Sequence, residues 1–219
     1  IDHNIKKVVA LSTDKASRPV SLYGATKLAS DKMFVASNAY SGEHKTQFSV
    51  VRYGNVMGSR GSVIPFFMQE KNNGVLPITD NRMTRFMITL EEGVNLVWKT
   101  FDDMCGGEIY VKKIPSMKVT DLAAAIDKDA IQKVIGIRPG EKLHEEMIGE
   151  DDSLYTYEYD DYYKILPAIN NWSFSKKLIK SGKRVEKNFS YTSDNNREWM
   201  SIETLQKWIK NNENKIGKI

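Results

Sequence analysis

The stretch Lys7-Val8-Val9-Ala10-Leu11-Ser12-Thr13-Asp14-Lys15-Ala16-Ser17-Arg18-Pro19, followed by Leu22-Tyr23-Gly24-Ala25-Thr26-Lys27, decides the reading of this chain. Its apolar run ends in small polar residues, the pattern of a buried parallel strand with functional groups at its C-terminal end. Pro19 and the residues after it open a helix, on which Leu22, Ala25, Ala29, Met33 and Ala36 repeat at a 3.6-residue period. Gln47 to Tyr53 alternates and is rich in Val and Phe, so it reads as a second strand. Strand, helix and parallel strand form the crossover unit of a doubly wound sheet, in which ligands sit beyond the strand C-termini.

Tyr23 and Lys27 lie four residues apart and share a helix face. An ammonium beside a phenol favours the phenolate, so this tyrosine can take a proton from a hydroxyl while hydride leaves the same carbon. Tyr-x-x-x-Lys alone is a common surface pair. The Ser12, Thr13, Asp14 and Lys15 groups at the preceding strand end give it a context that a simple capped loop does not explain. Further along, the expected elements are an apolar helix over Ile64–Glu70, an extended Leu76–Ile78 and a strand over Arg85–Ile88. A helix over Leu90–Phe101, a strand over Gly107–Val111, a helix over Val119–Ile126 and a strand over Val134–Ile137 follow. The remainder reads as a helix over Lys142–Ile148, an acidic, tyrosine-rich surface excursion over Asp152–Asp161, a strand over Tyr163–Leu166 and a helix capped by Ser201.

The chain has 219 residues, 41% of them apolar, enough for a packed core of one domain or one and a half. No apolar run approaches the roughly 20 residues that span a bilayer, so no membrane association is expected. A net charge of +4 with interspersed signs argues against nucleic-acid binding. Lys176-Lys177, with Lys180 and Lys183 nearby, reads as a solvated face or as a fringe for an anionic ligand. The single Cys105 excludes an intrachain disulfide and fits a reducing cytoplasm. His3, His44 and His144 lack metal-ligand spacing, and Asp160-Asp161 stand without further spaced acids, so no metal is expected. Trp98 and Trp208 read as core, and Trp172 and Trp199 as packing for the C-terminal segment. No Gly-rich phosphate turn precedes the first strand, and Gly54-Asn55-Val56-Met57-Gly58-Ser59-Arg60-Gly61 comes too late to be one. The expectation is that the first half of the nucleotide domain is missing.

The opening stretch resembles the extended short-chain dehydrogenase/reductase group that contains the inverting UDP-N-acetylglucosamine 4,6-dehydratases. Arg52-Tyr53-Gly54-Asn55-Val56, Gly61-Ser62-Val63-Ile64-Pro65-Phe66-Phe67, Pro77-Ile78-Thr79-Asp80, Met83-Thr84-Arg85-Phe86, Lys113-Ile114-Pro115-Ser116-Met117 and Arg138-Pro139-Gly140-Glu141-Lys142-Leu143-His144-Glu145-Glu146 carry the resemblance further, and it runs from Val8 to beyond Tyr191. Tyr23 points to the small soluble type, since the large membrane-anchored relatives carry Met there. Lys15 separates the chain from the dTDP-glucose dehydratases, which carry Thr-Asp-Glu at this strand end.

The resemblance implies an α/β fold, the C-terminal part of a Rossmann-like doubly wound parallel sheet with a smaller α/β substrate-binding domain. Residues 1–57 would belong to the nucleotide domain and 58–219 mainly to the substrate domain, with segments around 85–112 returning to the first. It implies Asp14, Lys15, Tyr23 and Lys27 as catalytic groups, with NADP as cofactor held by Ser12, Thr13, Tyr23, Lys27, Tyr53, Asn55 and Val56. A UDP-sugar would be bound by Thr13, Lys15, Tyr23, Asn55, Arg60, Val63, Pro77, Ile78, Thr79, Arg138 and Glu141. The implied reaction is 4,6-dehydration with inversion at C5, in a cytoplasmic homo-oligomer serving surface or flagellar glycan synthesis. Two alternatives stand beside it. One is a UDP-sugar 4-epimerase, which uses Tyr23 and Lys27 but has no need of Asp14 and Lys15. The other is a non-catalytic NADP-binding regulator, a class that typically loses the Tyr-Lys pair.

Overall fold

A computed structural model describes residues 1–168 and 179–218. In chain order its strands and helices used below are β1 (Lys7–Thr13), α1 (Leu22–Tyr40), β2 (Gln47–Tyr53), β3 (Asn55–Val56), α2 (Val63–Glu70), β4 (Val75–Ile78), β5 (Thr84–Ile88), α3 (Leu90–Asp103), β6 (Ile109–Lys112), β7 (Ser116–Lys118), α4 (Val119–Ile126), β8 (Ile131–Val134), β9 (Glu146–Ile148), β10 (Thr156–Glu158), β11 (Tyr162–Ile165), β12 (Lys183–Arg184) and α5 (Ile202–Asn212). The contacts separate two compact units. The first comprises Ile1–Tyr53, Glu91–Lys113 and Glu146–Tyr191, and the second Gly54–Leu90, Ile114–Glu145 and Thr192–Ile219.

The first unit is built on a sheet of order β1-β2-β6-β11-β10-β12. β1, β2 and β6 run parallel, while β11 and β10 are antiparallel to their neighbours. The parallel part, with α1 as its crossover, is the Rossmann-like α/β architecture expected from the opening stretch. Segment 146–191, expected in the substrate domain, falls in this unit because β11 hydrogen-bonds to β6 along its length. The tail of α1 is docked on β2 by Asn38, whose Nδ2 donates to the Phe48 carbonyl (2.9 Å) while Oδ1 accepts from the Phe48 amide (3.0 Å).

Helix α1 does not bury the apolar stripe its period marks. Leu22 is 83% and Met33 69% exposed, and the residues it buries are Gly24 and Asp31. On α3 the period is again visible, but Trp98 is 64% exposed rather than in the core, which is formed by Leu96 with Val51, Met104, Tyr110 and Tyr162. The tyrosine-rich segment expected as a surface excursion is instead partly internal. Thr156 and Tyr157 are buried, and β10 pairs with β11. One of its tyrosines, Tyr159, covers a buried cation: Lys164 lies 5.1 Å from its ring centre and 5.1 Å from that of Tyr110 on β6.

The second unit holds a three-stranded sheet, β3-β5-β7, and a parallel pair, β4-β8. α2, α4 and α5 close over one core in which Ile64, Phe67, Leu76, Ile78, Met117, Leu122 and Leu205 are buried. Trp208 packs against it. Ser201 caps α5 by accepting from the Thr204 amide at 3.2 Å. The strand expected over Val134–Ile137 lies earlier, over Ile131–Val134, because its partner Val75–Ile78 fixes the register and leaves Ile135 and Ile137 about half exposed.

The helix expected over Lys142–Ile148 is absent. Residues 142–145 are irregular and Glu146–Ile148 is a strand. Long-range partners override the local period here: His144 Nδ1 meets Thr84 Oγ1 at 2.8 Å, and the Glu145 amide donates to Ser193 Oγ at 2.9 Å. No helix among the described residues is long and apolar enough to cross a membrane. Trp172 and the Lys176-Lys177 pair lie outside the described residues.

A buried charge cluster joins α3 to β11 in the first unit. Asp103 accepts from Lys164 (2.5 Å), from Tyr110 (2.7 Å) and from Lys180. Burial alone would push the Asp103 carboxyl up, but these donors outweigh it and hold the group at about 2. A carboxyl depressed in the folded state stabilises fully above its unfolded value of about 4 and loses that contribution as pH falls through the folded value. Asp103→Ala removes the carboxylate that Lys164, Tyr110 and Lys180 share and breaks a largely buried ion pair, which costs about 3–5 kcal/mol. Urea unfolding of the full-length protein at neutral pH is expected to show that loss. The variant should lack the part of the acid destabilisation that the unsubstituted protein shows from about 4 downwards.

Candidate active site

In the first unit, the register of β1 on β2 sets Thr13 against Tyr53, and the Tyr53 carbonyl accepts the Asp14 amide at 3.2 Å. The strand end is therefore fixed by backbone bonds one residue beyond the ladder. The Asp14 side chain is buried, and its Oδ1 accepts from Thr13 Oγ1 (2.9 Å) and Lys15 Nζ (3.0 Å). Asp14 Oδ2 and Ser12 Oγ are buried with no protein hydrogen-bond partner. An unpaired buried oxygen is costly in a finished core, and two at one strand end are what a ligand-binding edge leaves open.

Tyr23 is 53% exposed on the first turn of α1. Lys27 Nζ donates to the Leu11 carbonyl at 3.0 Å, which ties the ammonium to β1 one residue before Ser12. The Ser21 hydroxyl accepts the Gly24 amide at 3.1 Å and caps the helix start. Burial pushes the Tyr53 phenol up, and the nearby Tyr23 adds to that shift. Tyr53 thus stays protonated at neutral pH and can donate a hydrogen bond close to Tyr23. Ser12, Thr13, Tyr23, Lys27 and Tyr53 belong to this unit, and their donors and orphaned oxygens suit the ribose and carboxamide of a nicotinamide nucleotide. Asn55 and Val56 belong to the second unit.

That second unit has its own cavity of about 410 Å³, within the range of small-ligand sites. Asn55, Val63, Pro77, Thr79, Arg138 and Glu141 line it. Asn55 Oδ1 and Ser62 Oγ, both in its lining, are buried without a protein partner. The N-terminus of α2 opens here, and Ser62 makes no side-chain cap, so its first amides and the helix dipole favour an anion. Arg138 and Glu141 close a turn on each other: the Arg138 amide donates to Glu141 Oε2 (3.2 Å) and the Glu141 amide to the Arg138 carbonyl (3.1 Å). Ile78 is buried in the core rather than in the lining, and Arg60 is exposed outside it.

Two residues escaped the sequence reading. Arg85 lines the cavity, its guanidinium held by the Thr84 (2.7 Å), Leu143 (3.2 Å) and Lys142 (3.1 Å) carbonyls. The Met83-Thr84-Arg85-Phe86 stretch carried that signal. Gly24 is the second: a Cβ there would collide with the Lys15 carbonyl oxygen, so the helix start and the loop backbone touch.

The fold of the first unit and the polar cluster at the end of β1 are those of an α/β protein of the short-chain dehydrogenase/reductase kind. The chain belongs to the family described as polysaccharide biosynthesis protein, which matches residues 1–167. It is 54% identical to a UDP-N-acetylglucosamine 4,6-dehydratase (inverting) from Campylobacter jejuni, over 97% of this chain and 66% of that protein. It is 37% identical to a UDP-glucose 4-epimerase from Rickettsia canadensis, over 90% of this chain and 59% of that one. The X-ray structure of Pen from Bacillus thuringiensis superposes with a TM-score of 0.81 at 35% identity, covering 96% of this chain and 64% of that one. The chain thus spans about two thirds of the length of the dehydratase it matches.

The Gly24 contact yields a test of the cluster's geometry. Gly24→Ala puts a methyl group against backbone that cannot rotate away, so α1 must shift from Lys15. Turnover should fall by about a hundredfold, the cost of a displacement near 1 Å between oriented groups. Far-ultraviolet circular dichroism should be unchanged. Steady-state kinetics in the full-length protein checks both parts.

Proposed function

We propose that the protein is the catalytic and substrate-binding part of an NADP-dependent UDP-N-acetylglucosamine 4,6-dehydratase that inverts C5. The observation that carries this reading is the Asp14–Lys15 pair, 3.0 Å apart at the end of β1 in the unit that also holds Tyr23 and Lys27. A 4-epimerase needs the second pair but has no use for the first. The Rickettsia relative named as an epimerase keeps that alternative in view.

In this reading the Tyr23 phenolate takes the C4 hydroxyl proton, and the Lys27 ammonium stabilises the phenolate. When bound, the nicotinamide supplies the acceptor for the C4 hydride and the donor that returns it to C6. The C4 ketone acidifies the C5 hydrogen. One proton crossing the 3.0 Å bond from Lys15 to Asp14 converts the ion pair into an amine and a carboxylic acid. Lys15 then takes the C5 proton, and Asp14 protonates the C6 hydroxyl, which leaves as water. Both groups thereby return to the ion pair from which the step began. A proton from solvent adds at C5 from the opposite face and completes the inversion, Tyr23 releases to solvent the proton it took from the C4 hydroxyl, and the product is a UDP-4-keto-6-deoxy-L-hexosamine.

Nucleotide recognition is assigned to the second unit. The unpaired Asn55 and Ser62 oxygens and the Arg138–Glu141 turn suit the polar groups of uridine, and Pro77, Thr79 and Val63 supply apolar cover. The α2 N-terminus, with Arg60 and Arg85 near it in sequence or lining, suits the diphosphate. The family description, polysaccharide biosynthesis protein, supports a place in glycan synthesis; a surface or flagellar glycan as the end product and a cytoplasmic reaction belong to the same proposal. A homo-oligomer belongs to the same proposal. Light scattering that reads a monomer would remove that assignment.

The roles of the two pairs separate in one experiment. In the full-length protein, Lys15→Met should still form reduced nicotinamide on mixing with substrate but release no dehydrated product. Tyr23→Phe should lose both, by about a hundredfold or more, the scale of a general base. The unsubstituted enzyme in deuterated water should place deuterium at C5, read by NMR. A Lys15→Met enzyme that dehydrates at the normal rate would take Lys15 out of the mechanism.

A further inference from the structure

We propose that Glu146 and Arg52 are positioning residues that brace the Asp14–Lys15 loop and the Tyr23–Lys27 helix against one another, so that oxidation and elimination act on one sugar in one register. The inference rests on the reaction just assigned. The two catalytic pairs stand on separate segments, joined by Ala16–Ser21. That joint is not self-supporting. Arg18 has a φ of 42°, a left-handed conformation unfavourable for a non-glycine residue, directly before Pro19.

Two adjacent residues of β9 hold the joint from outside. Glu146 Oε1 accepts from the buried Ser17 hydroxyl at 2.7 Å, with Arg18 Nε at 3.7 Å from the same oxygen. The next carbonyl, of Met147, accepts from Arg52 Nη1 at 2.6 Å. The other arm of that guanidinium, Nη2, reaches Asp31 Oδ2 at 3.0 Å. Asp31 sits on α1 one turn beyond Lys27, and Asp152 stands 3.9 Å from Nη1. One end of the brace therefore grips the loop next to Lys15, and the other grips the helix that carries Tyr23. Gly24, packed on the Lys15 carbonyl, is the point about which the two segments would otherwise pivot.

Stability alone does not account for the Arg52–Asp31 pair. Both side chains are almost wholly buried, yet Arg52 Nε and Asp31 Oδ1 have no protein hydrogen-bond partner. A buried ion pair with unmet hydrogen bonds repays its desolvation poorly, and well-packed apolar residues of similar volume would hold a core at least as well. What the pair supplies is direction, because a guanidinium fork fixes two partners at defined angles.

The test uses rapid mixing of full-length enzyme with UDP-N-acetylglucosamine. Absorbance of the reduced nicotinamide rises with C4 oxidation and falls when hydride returns after elimination. Glu146→Ala should leave the rise within a few-fold and slow the fall by about tenfold or more, as expected for a misplaced acid–base pair. Glu146→Gln keeps an oxygen acceptor for Ser17 and should restore the fall. Asp31→Asn should slow the rise instead. Amide hydrogen exchange over residues 12–24 should quicken in Glu146→Ala and not in Glu146→Gln. Ser17→Ala breaks the same contact with a smaller truncation, should Glu146→Ala not fold. Unchanged phases and unchanged exchange in Glu146→Ala or Ser17→Ala would overturn the brace, as would an equal slowing of both phases in every variant. An unsubstituted enzyme that neither reduces its nicotinamide nor releases water would instead overturn the assigned reaction, and exchange alone would then decide the brace.

Discussion

Parallel pairing of Lys7–Thr13 with Gln47–Tyr53 is the constraint on which the rest of the first unit depends. Each inter-strand bond is modest, about 1 kcal/mol net, but the register it imposes is strict. A slip of one residue would turn Ser12 and Asp14 to the opposite face of the sheet. The register also delivers the Leu11 carbonyl to Lys27 and the Tyr53 carbonyl to the Asp14 amide. Backbone geometry thus does most of the placing, and side chains adjust what remains.

What remains lies in the joint between strand end and helix. A parallel crossover leaves that joint to loop residues, and loops carry function because rigid elements flank them. Here the loop contains a left-handed Arg18, and the helix that follows it carries in its first turn Gly24, whose missing side chain lets two backbones touch. Strain of this kind persists only where the surroundings over-determine it. Glu146 and Arg52 are those surroundings, and both act through carboxylate or guanidinium contacts within the same unit.

Much of this was legible in the sequence, for reasons that are themselves physical. The strand end and the Tyr-Lys helix announce themselves through local periodicity and through polar residues where a core would forbid them. Periodicity failed where the partner was remote in the chain. The α1 stripe was plain, but its direction was not, because the residues that anchor the helix inward are a glycine and an aspartate. The Asp31 partner is on another strand, and the Ser17 partner is 129 positions away. The segment Lys142–Ile148 showed a helical spacing that contacts with Thr84, Ser193 and Arg52 override. Trp98 carried the core's chemistry but lies on the outward side of α3. In the second unit Asn55, Val63, Pro77, Thr79, Arg138 and Glu141, named from motif resemblance, line the cavity while Arg60 and Ile78 do not, and Arg85 needed the carbonyls of Thr84, Lys142 and Leu143 to reveal its fixed guanidinium.

The central claim is that an acid–amine pair beside a Tyr-Lys pair makes this chemistry an elimination rather than an epimerisation. The most direct measurement is the mass spectrum of the product formed from UDP-N-acetylglucosamine by the full-length protein with NADP⁺. The account predicts a product lighter by one water, with no net consumption of the nicotinamide. A product of unchanged mass, or a sugar altered only at C4, would contradict it.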